Sequence, residues 1–355
     1  MKYALIGCGR VSKNHIKAAT LNDLEIVALC DIIPEKAQKL IDDFSLNNVE
    51  IFTDYKKMIS ETKPDFVAIA TDSGKHAEIA IYCAENKTNF IVEKPIAMSI
   101  QDADKIIGIV EKNNVIACVS HQNRFNIAVQ HLHNAIKTDR FGKISHGSIN
   151  IRWHRGDEYY TAENWRGKWA SDGGILMNQC IHGIDLLSWM LGEEVEEVYG
   201  MTNNAFHKCI EGEDIGVAVI RFKNGVVATV EGTVNCFEDF EQTLTIFGEN
   251  GTVRLGGHYA NKVDTWRFSD NLPEDDETIQ VDEKAKNVYG NGHTSLYSDF
   301  IDSIENNRKP YVDLYVGKRV IEIVLAIYKS QKTGLPVKFP LKEFASIDMT
   351  GEFNK

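Results

Sequence analysis

The chain has 355 residues, 43% of them hydrophobic and 25% charged, which fits about two folded domains and excludes an intrinsically disordered protein. Its formal net charge of −12 argues against a nucleic-acid partner, which would call for a basic stripe. It leaves room for an anionic small molecule held by a local group of arginines. Seven cysteines (Cys8, Cys30, Cys83, Cys118, Cys180, Cys209 and Cys236) show no Cys-x-x-Cys spacing and fit the reducing cytoplasm. The apolar start at 1–6 is too short for a signal peptide or a membrane span, so no membrane partner is expected.

Over the first 120 residues, short apolar runs alternate with helical periods, the pattern of a parallel sheet covered by helices. Strands are predicted at 3–6, 25–30, 66–70, 89–92 and 116–120, and helices at 12–20, 34–43, 54–61, 75–86 and 99–113. Pro34 at a helix start and Pro64 before a strand punctuate this series. Residues 123–125 mark a hinge, dividing the chain into domains 1–122 and 123–355.

A helix over 126–137 follows, and then the pattern changes. Strands are predicted at 143–153, 195–203, 214–223, 225–235, 241–248 and 251–256, with Lys223-Asn224-Gly225 as a hairpin turn. One long helix over 174–191 interrupts them. This describes a large, mostly antiparallel open sheet with helices on one face, so the overall class is α/β with an α+β second domain. The uncovered sheet face favours burial against a second subunit, as a homodimer or homotetramer. The acidic stretch 270–288 reads as a surface loop, and helices near 293–306 and 315–333 close the chain.

Gly7-Cys8-Gly9-Arg10-Val11-Ser12 lies between the first strand and the first helix. The first glycine permits a tight turn, and the second lets the backbone approach a pyrophosphate resting on the helix N-terminus. Asp31 ends the second strand, 19 residues after Ser12, where a carboxylate binds the adenine-ribose hydroxyls. Together they predict a Rossmann domain, with Gly7, Gly9, Arg10, Val11 and Asp31 binding NAD in preference to NADP, because Asp31 would repel a ribose phosphate. Thr71 and His76 follow a later strand, near the cofactor; His76 either touches nicotinamide or caps its helix. Phe90-Ile-Val-Glu93-Lys94-Pro95 ends a strand in an acid and a lysine at the sheet's ligand-binding edge, adding Glu93 and Lys94 to the cofactor contacts.

Downstream, helical spacing puts Asn178 and His182 on one face, and His182 and Asp185 are also within reach of each other. Such spacing can bind metal, but no third ligand is evident, so no metal is expected. The apolar neighbours also allow a satisfied core histidine. Between the two clusters, Arg152, Trp153, His154, Arg155, Tyr159, Tyr160, Trp165, Arg166, Lys168 and Trp169 form a stretch able to grip a phosphate or carboxylate, or to bury an interface.

These motifs together resemble the Gfo/Idh/MocA oxidoreductases across nearly the whole chain. The resemblance implies a Rossmann domain followed by an open-sheet domain, subunit pairing through the sheets, NAD chemistry at a sugar or cyclitol carbon, and an active-site lysine at Lys94. One departure is Asn178, where inositol-type members carry Asp-x-x-x-His. An amide cannot be a general base, so His182 or Lys94 must handle the proton. A narrower resemblance is to bacterial dehydrogenases acting at C3 of UDP-N-acetylglucosaminuronate or UDP-N-acetylglucosamine, as in polysaccharide biosynthesis. It is carried by Gln122-Asn-Arg124, Arg152-Trp153, Tyr159-Tyr160, Trp165-Arg166-Gly167 and 172–179. It implies catalytic Lys94 and His182, with Arg124, Arg155, Tyr159, Trp165, Arg166, Asn178 and His182 meeting a sugar or nucleotide-sugar substrate. The alternatives are a free-sugar or inositol dehydrogenase, or a non-catalytic NAD-binding protein.

Overall fold

A computed structural model describes residues 1–192, 194–284 and 292–353. The last four residues of the predicted loop 270–288 and the final two residues of the predicted second domain lie outside the described residues.

The first half contains β1 (Lys2–Ile6), α1 (Ser12–Leu21), β2 (Glu25–Cys30), α2 (Pro34–Phe44), β3 (Glu50–Phe52), α3 (Tyr55–Thr62), β4 (Phe66–Ile69), α4 (His76–Glu85), β5 (Asn89–Val92), α5 (Ile100–Asn113) and β6 (Ala117–Val119). The strands form one parallel sheet in the order β3-β2-β1-β4-β5-β6, that of a dinucleotide-binding sheet. Central β4 is buried along its whole length, which is why it reads as an unbroken apolar run. Local chemistry fixes the helix starts: Pro34 opens α2, and Asp54 accepts from the Lys56 N–H to cap α3. The three-residue β3 was not predicted; too short to show alternation, it pairs with β2.

The second half contains α6 (Ile127–Lys137), β7 (Ile144–Arg152), α7 (Asp157–Thr161), α8 (Ile175–Asn178), α9 (Ile181–Leu191), β8 (Val195–Asn203), β9 (Ile215–Phe222), β10 (Val227–Thr233), β11 (Glu241–Gly248), β12 (Gly251–Gly256), β13 (Lys262–Phe268), α10 (Asp275–Thr278), α11 (Gly292–Glu305), α12 (Leu314–Thr333) and β14 (Val337–Lys338). Eight strands line up as β13-β12-β11-β7-β10-β9-β8-β14, all antiparallel except the β7/β10 pair. Alternate residues of β9 and β10 are buried and exposed, so one face is covered and the other open. Gly225, at φ +84°, makes the β9/β10 turn in the left-handed region that Asn-Gly turns require. The predicted loop contains α10, whose Asp275 is buried and accepts from Trp266 Nε1 at 2.6 Å and from Arg140. No helix among the described residues is long and apolar enough to cross a membrane.

The chain divides into two compact units: Met1–Ala97 with Gln101–Gln122 and Asn291–Lys318, and Met98–Ile100 with Asn123–Gly290 and Arg319–Lys355. The first unit takes in α11, which the sequence-based division placed with residues 123–355. The reason is aromatic burial. Phe66 packs against Phe300 at 5.2 Å and Tyr3 at 5.2 Å between ring centroids, and Tyr297 joins Tyr3 at 5.8 Å. Removing an aromatic from such a core costs about 3–5 kcal/mol.

Candidate functional site

In the first unit, Gly7 sits at φ +95°, and a Cβ there would meet the Ala70 carbonyl oxygen at 2.4 Å, so only glycine fits the turn. A Cβ at Gly9 would meet nothing within 4 Å, which leaves the turn open to an approaching phosphate. No side chain caps the N-terminus of α1, so its orphan N–H groups suit an anion. Asp31 accepts from the Cys8 N–H at 2.8 Å and the Ile33 N–H at 2.9 Å, fixing its half-buried carboxylate at the end of β2. These residues fit NAD. Arg10 is exposed and Val11 half-buried beside them.

His76 was expected to touch nicotinamide or cap α4; the hydrogen-bond partners of its ring are two backbone carbonyls. It is buried, with Nδ1 2.7 Å from the Pro95 carbonyl and Nε2 3.3 Å from the Thr71 carbonyl. Burial lowers its pKa, so the ring is neutral and donates its one N–H to one of these two carbonyls. Glu93 was expected as a cofactor contact, but its carboxylate turns inward. Oε1 lies 3.0 Å from His15 Nε2 and 3.6 Å from His293 Nε2, while His15 Nδ1 meets Tyr297 Oη at 2.7 Å. Although burial opposes ionisation, the two histidines hold the Glu93 carboxyl well below the usual carboxylate range. Its Oε2 accepts the Lys94 N–H at 3.3 Å, so it braces the half-buried lysine.

His15, Glu93 and His293 place three ligand-type atoms within 4.8 Å of one another, a group with metal-binding composition that sequence reading missed. The residues are 78 and 200 positions apart, with no local spacing to reveal them.

In the second unit, the single helix predicted over 174–191 is broken into α8 and α9. The Cys180 N–H reaches the Ile175 carbonyl at 2.9 Å, five residues back, so the turn is widened. Asn178 and His182, both half-buried, lie either side of that break, so their spacing is not that of one continuous helix. The Asn178 amide nitrogen donates to Asp172 Oδ1, and Asp172 Oδ2 accepts the Gly167 N–H at 2.7 Å. With Asp172 taking the NH₂ end, the amide orientation of Asn178 is set.

Arg155, Tyr159, Trp165 and Arg166 come together as the sequence suggested. The Arg166 guanidinium lies 4.1 Å from the Tyr159 ring and 5.0 Å from the Trp165 ring, and that of Arg155 is 5.6 Å from Tyr159. Gln179 Nε2 donates to Tyr159 Oη at 3.3 Å, linking this cluster to the α8/α9 break. Arg155 also pairs with Asp239 at 3.0 Å.

Arg124, expected to meet substrate, is instead built into the interior. It is 3% exposed, and Nε and Nη2 fork onto Asp185 at 2.9 and 2.6 Å. Its guanidinium also stacks 4.5 Å above the Trp189 ring, which stacks in turn on His133 at 3.9 Å. Burial first, then the nearby Lys137 and Arg124 charges, pushes His133 down to about 4. A paired, buried guanidinium has no charge left for a diphosphate. Asp185 is committed to Arg124 in the same way.

A doubly wound sheet whose first turn can cradle a pyrophosphate, with a carboxylate closing its second strand, defines a dinucleotide-dependent enzyme scaffold. Residues 1–121 match the NAD-binding Rossmann fold of an oxidoreductase family, and residues 133–339 match that family's C-terminal alpha/beta domain. The chain belongs to the Gfo/Idh/MocA oxidoreductase family and uses NAD. It is similar to the WlbA dehydrogenase of Bordetella pertussis, solved in complex with NADH and UDP-GlcNAcA. The two share 34% identity over 96% of this chain and 99% of that one, with a TM-score of 0.87. The Chromobacterium violaceum WlbA dehydrogenase, solved with the same two ligands, shares 32% identity over 96% of each chain, with a TM-score of 0.88. Among curated relatives, the myo-inositol 2-dehydrogenase of Thermotoga maritima is 23% identical over 95% of this chain and 98% of its own.

Proposed function

We propose that this enzyme oxidises a nucleotide-linked sugar, at the 3-hydroxyl of a UDP-N-acetylhexosamine or its uronic acid. The observation that carries this reading is the pair of relatives at 34% and 32% identity that hold NADH together with UDP-GlcNAcA. The arginine and aromatic cluster of Arg155, Tyr159, Trp165 and Arg166 supplies chemistry of the right kind, cations and rings for a diphosphate, a carboxylate and a base.

NAD, when bound, supplies the two-electron acceptor for the carbon-bound hydrogen. His182 takes the hydroxyl proton as the C–O bond becomes a carbonyl, the role that a positioned imidazole most often fills. Lys94, braced by Glu93, steadies the negative charge that develops on that oxygen. Gly7, Gly9 and the α1 N-terminus receive the pyrophosphate, and Asp31 the ribose hydroxyls. Asn178, oriented by Asp172, offers its carbonyl oxygen to a substrate donor. The open sheet face, with Met201, Val217 and Val219 exposed, suits a homodimer or homotetramer.

Similarity to an inositol dehydrogenase over 95% of the chain favours a second reading, oxidation of a free sugar or cyclitol. The test is NADH formation with UDP-sugars, free hexoses and inositols in parallel. Turnover confined to the UDP-sugars is expected. Turnover confined to free sugars or inositols would remove the nucleotide-sugar reading.

A further inference from the structure

Glu213 is fully buried, immediately before β9, and the mechanism above gives it no role. Its Oε1 accepts the Leu176 N–H at 2.9 Å and the Tyr328 O–H at 2.8 Å. Tyr328 Oη in turn accepts the Gly174 N–H at 3.3 Å, and the Glu213 carbonyl accepts the Ile175 N–H at 3.3 Å. Oε2 has no hydrogen-bond partner and lies against Gly174, where a Cβ would be 1.4 Å from it. The Glu213 carboxyl and backbone carbonyl, with the Tyr328 phenol from 115 positions further on, therefore hold three successive N–H groups of the turn that leads into Asn178.

We propose that Glu213 and Tyr328 are positioning residues that clamp the Gly174 to Leu176 turn and thereby fix Asn178 and His182 for the reaction. This rests on the reading above, in which those two residues serve catalysis. The clamp depends on protonation. An ionised carboxylate would leave a charge on Oε2 with no donor to meet it, in a dry interior. Among the described residues, the titratable groups that act on Glu213 are Asp172 from the preceding loop, Tyr160 from α7 and Tyr328 from α12. On its own strand, Asp214 is taken by His207 at 3.1 Å. Burial pushes the Glu213 carboxyl up to about 8, with the Asp172 charge acting in the same direction. The neutral acid holds the turn at neutral pH, and ionisation above that value leaves an unmet negative charge against Gly174.

The sign follows from linkage. A carboxyl whose pKa is higher in the closed turn than when exposed stabilises the closed form fully at low pH. That stabilisation is lost as pH rises toward the closed-state value and then levels off.

The test measures amide hydrogen-exchange protection at residues 174–178 in the full-length protein between pH 5.5 and 7.5, for wild type, Glu213→Gln and Tyr328→Phe. Gln keeps the shape of the neutral acid and cannot ionise. Wild-type protection is expected to fall by about tenfold for each pH unit relative to Glu213→Gln. In the same proteins, kcat should show an alkaline decline above about pH 8 in wild type that Glu213→Gln lacks, with the KM for NAD unchanged. Tyr328→Phe should lower kcat about tenfold at pH 7 while NAD binding is kept. Parallel protection profiles in wild type and Glu213→Gln would overturn the proposal. If Glu213→Gln does not fold, the wild-type slope and Tyr328→Phe decide: a flat slope with unaltered Tyr328→Phe turnover overturns it. A pH-dependent difference in protection without turnover of any sugar would keep the clamp and defeat the reading of the reaction.

Discussion

The two candidate clusters are built in opposite ways. In the first unit, the cofactor turn is assembled from neighbours in sequence: Gly7, Gly9, Ser12 and Asp31 occupy 25 consecutive positions, and their roles are set by one strand, one turn and one helix. In the second unit, the Asn178 turn is held by residues that come from far along the chain, Tyr328 lying 154 positions from Gly174. The first kind of site depends on backbone conformation and tolerates little change at its glycines. The second depends on buried polar pairs, so its sensitivity is to charge state.

Substitutions can break or sharpen that comparison. The largest effect is expected at the proton-handling groups. His182→Ala and Lys94→Ala should each reduce kcat by about 10²–10⁴-fold with NAD binding kept for His182→Ala, measured by steady-state kinetics and calorimetry. Near-wild-type turnover in both would end the proposed mechanism. Next comes Gly7→Ala. Its Cβ would sit 2.4 Å from a backbone oxygen at a φ of +95°, so NAD affinity should collapse and the melting temperature fall. The strain alone is of order 1–3 kcal/mol. An unchanged NAD affinity would show that the turn is not the cofactor's seat.

Asn178→Asp tests the second cluster. It restores the acid found in inositol-type relatives but sets it against the Asp172 carboxylate, which now receives the Asn178 amide. Two carboxylates sharing a site raise one pKa, so activity at pH 7 should drop by about tenfold and recover in part at higher pH. A gain of activity at pH 7 would mean Asp172 does not face that position. The smallest effect is in cofactor choice. Asp31→Ala removes a ribose-binding carboxylate and the repulsion of a ribose phosphate, so the NAD over NADP preference, read as a ratio of kcat/KM values, should narrow by about tenfold. An unchanged ratio would place the discrimination elsewhere.

The glycine turn, Asp31 and the β-strand runs were legible because each signal is local. β3 and β14 were not, since strands of three and two residues have no period to read, and the seven-residue β13 was missed as well. Arg124 illustrates the limit in the other direction. As a residue type it advertises anion binding, and only the fold shows that Asp185, 61 positions on, has claimed it. Glu213 lies in the acidic run Glu211-Gly-Glu213-Asp214, which composition alone assigns to solvent. Burial of that one acid is set by Gly174, whose missing side chain leaves the room it occupies. The break between α8 and α9 is equally silent, because apolar periodicity runs through it.

The placement of α11 has a consequence for the order of events during synthesis. Tyr297, Phe300 and His293 complete a core whose other members, Tyr3, His15, Phe66 and Glu93, are synthesised about two hundred to three hundred residues earlier. Until α11 emerges, the nascent NAD-binding unit lacks the Tyr297 and Phe300 rings and one of the two histidines that face Glu93. The cofactor-binding half of this enzyme is therefore begun first and finished late, with nearly the whole second half translated in between.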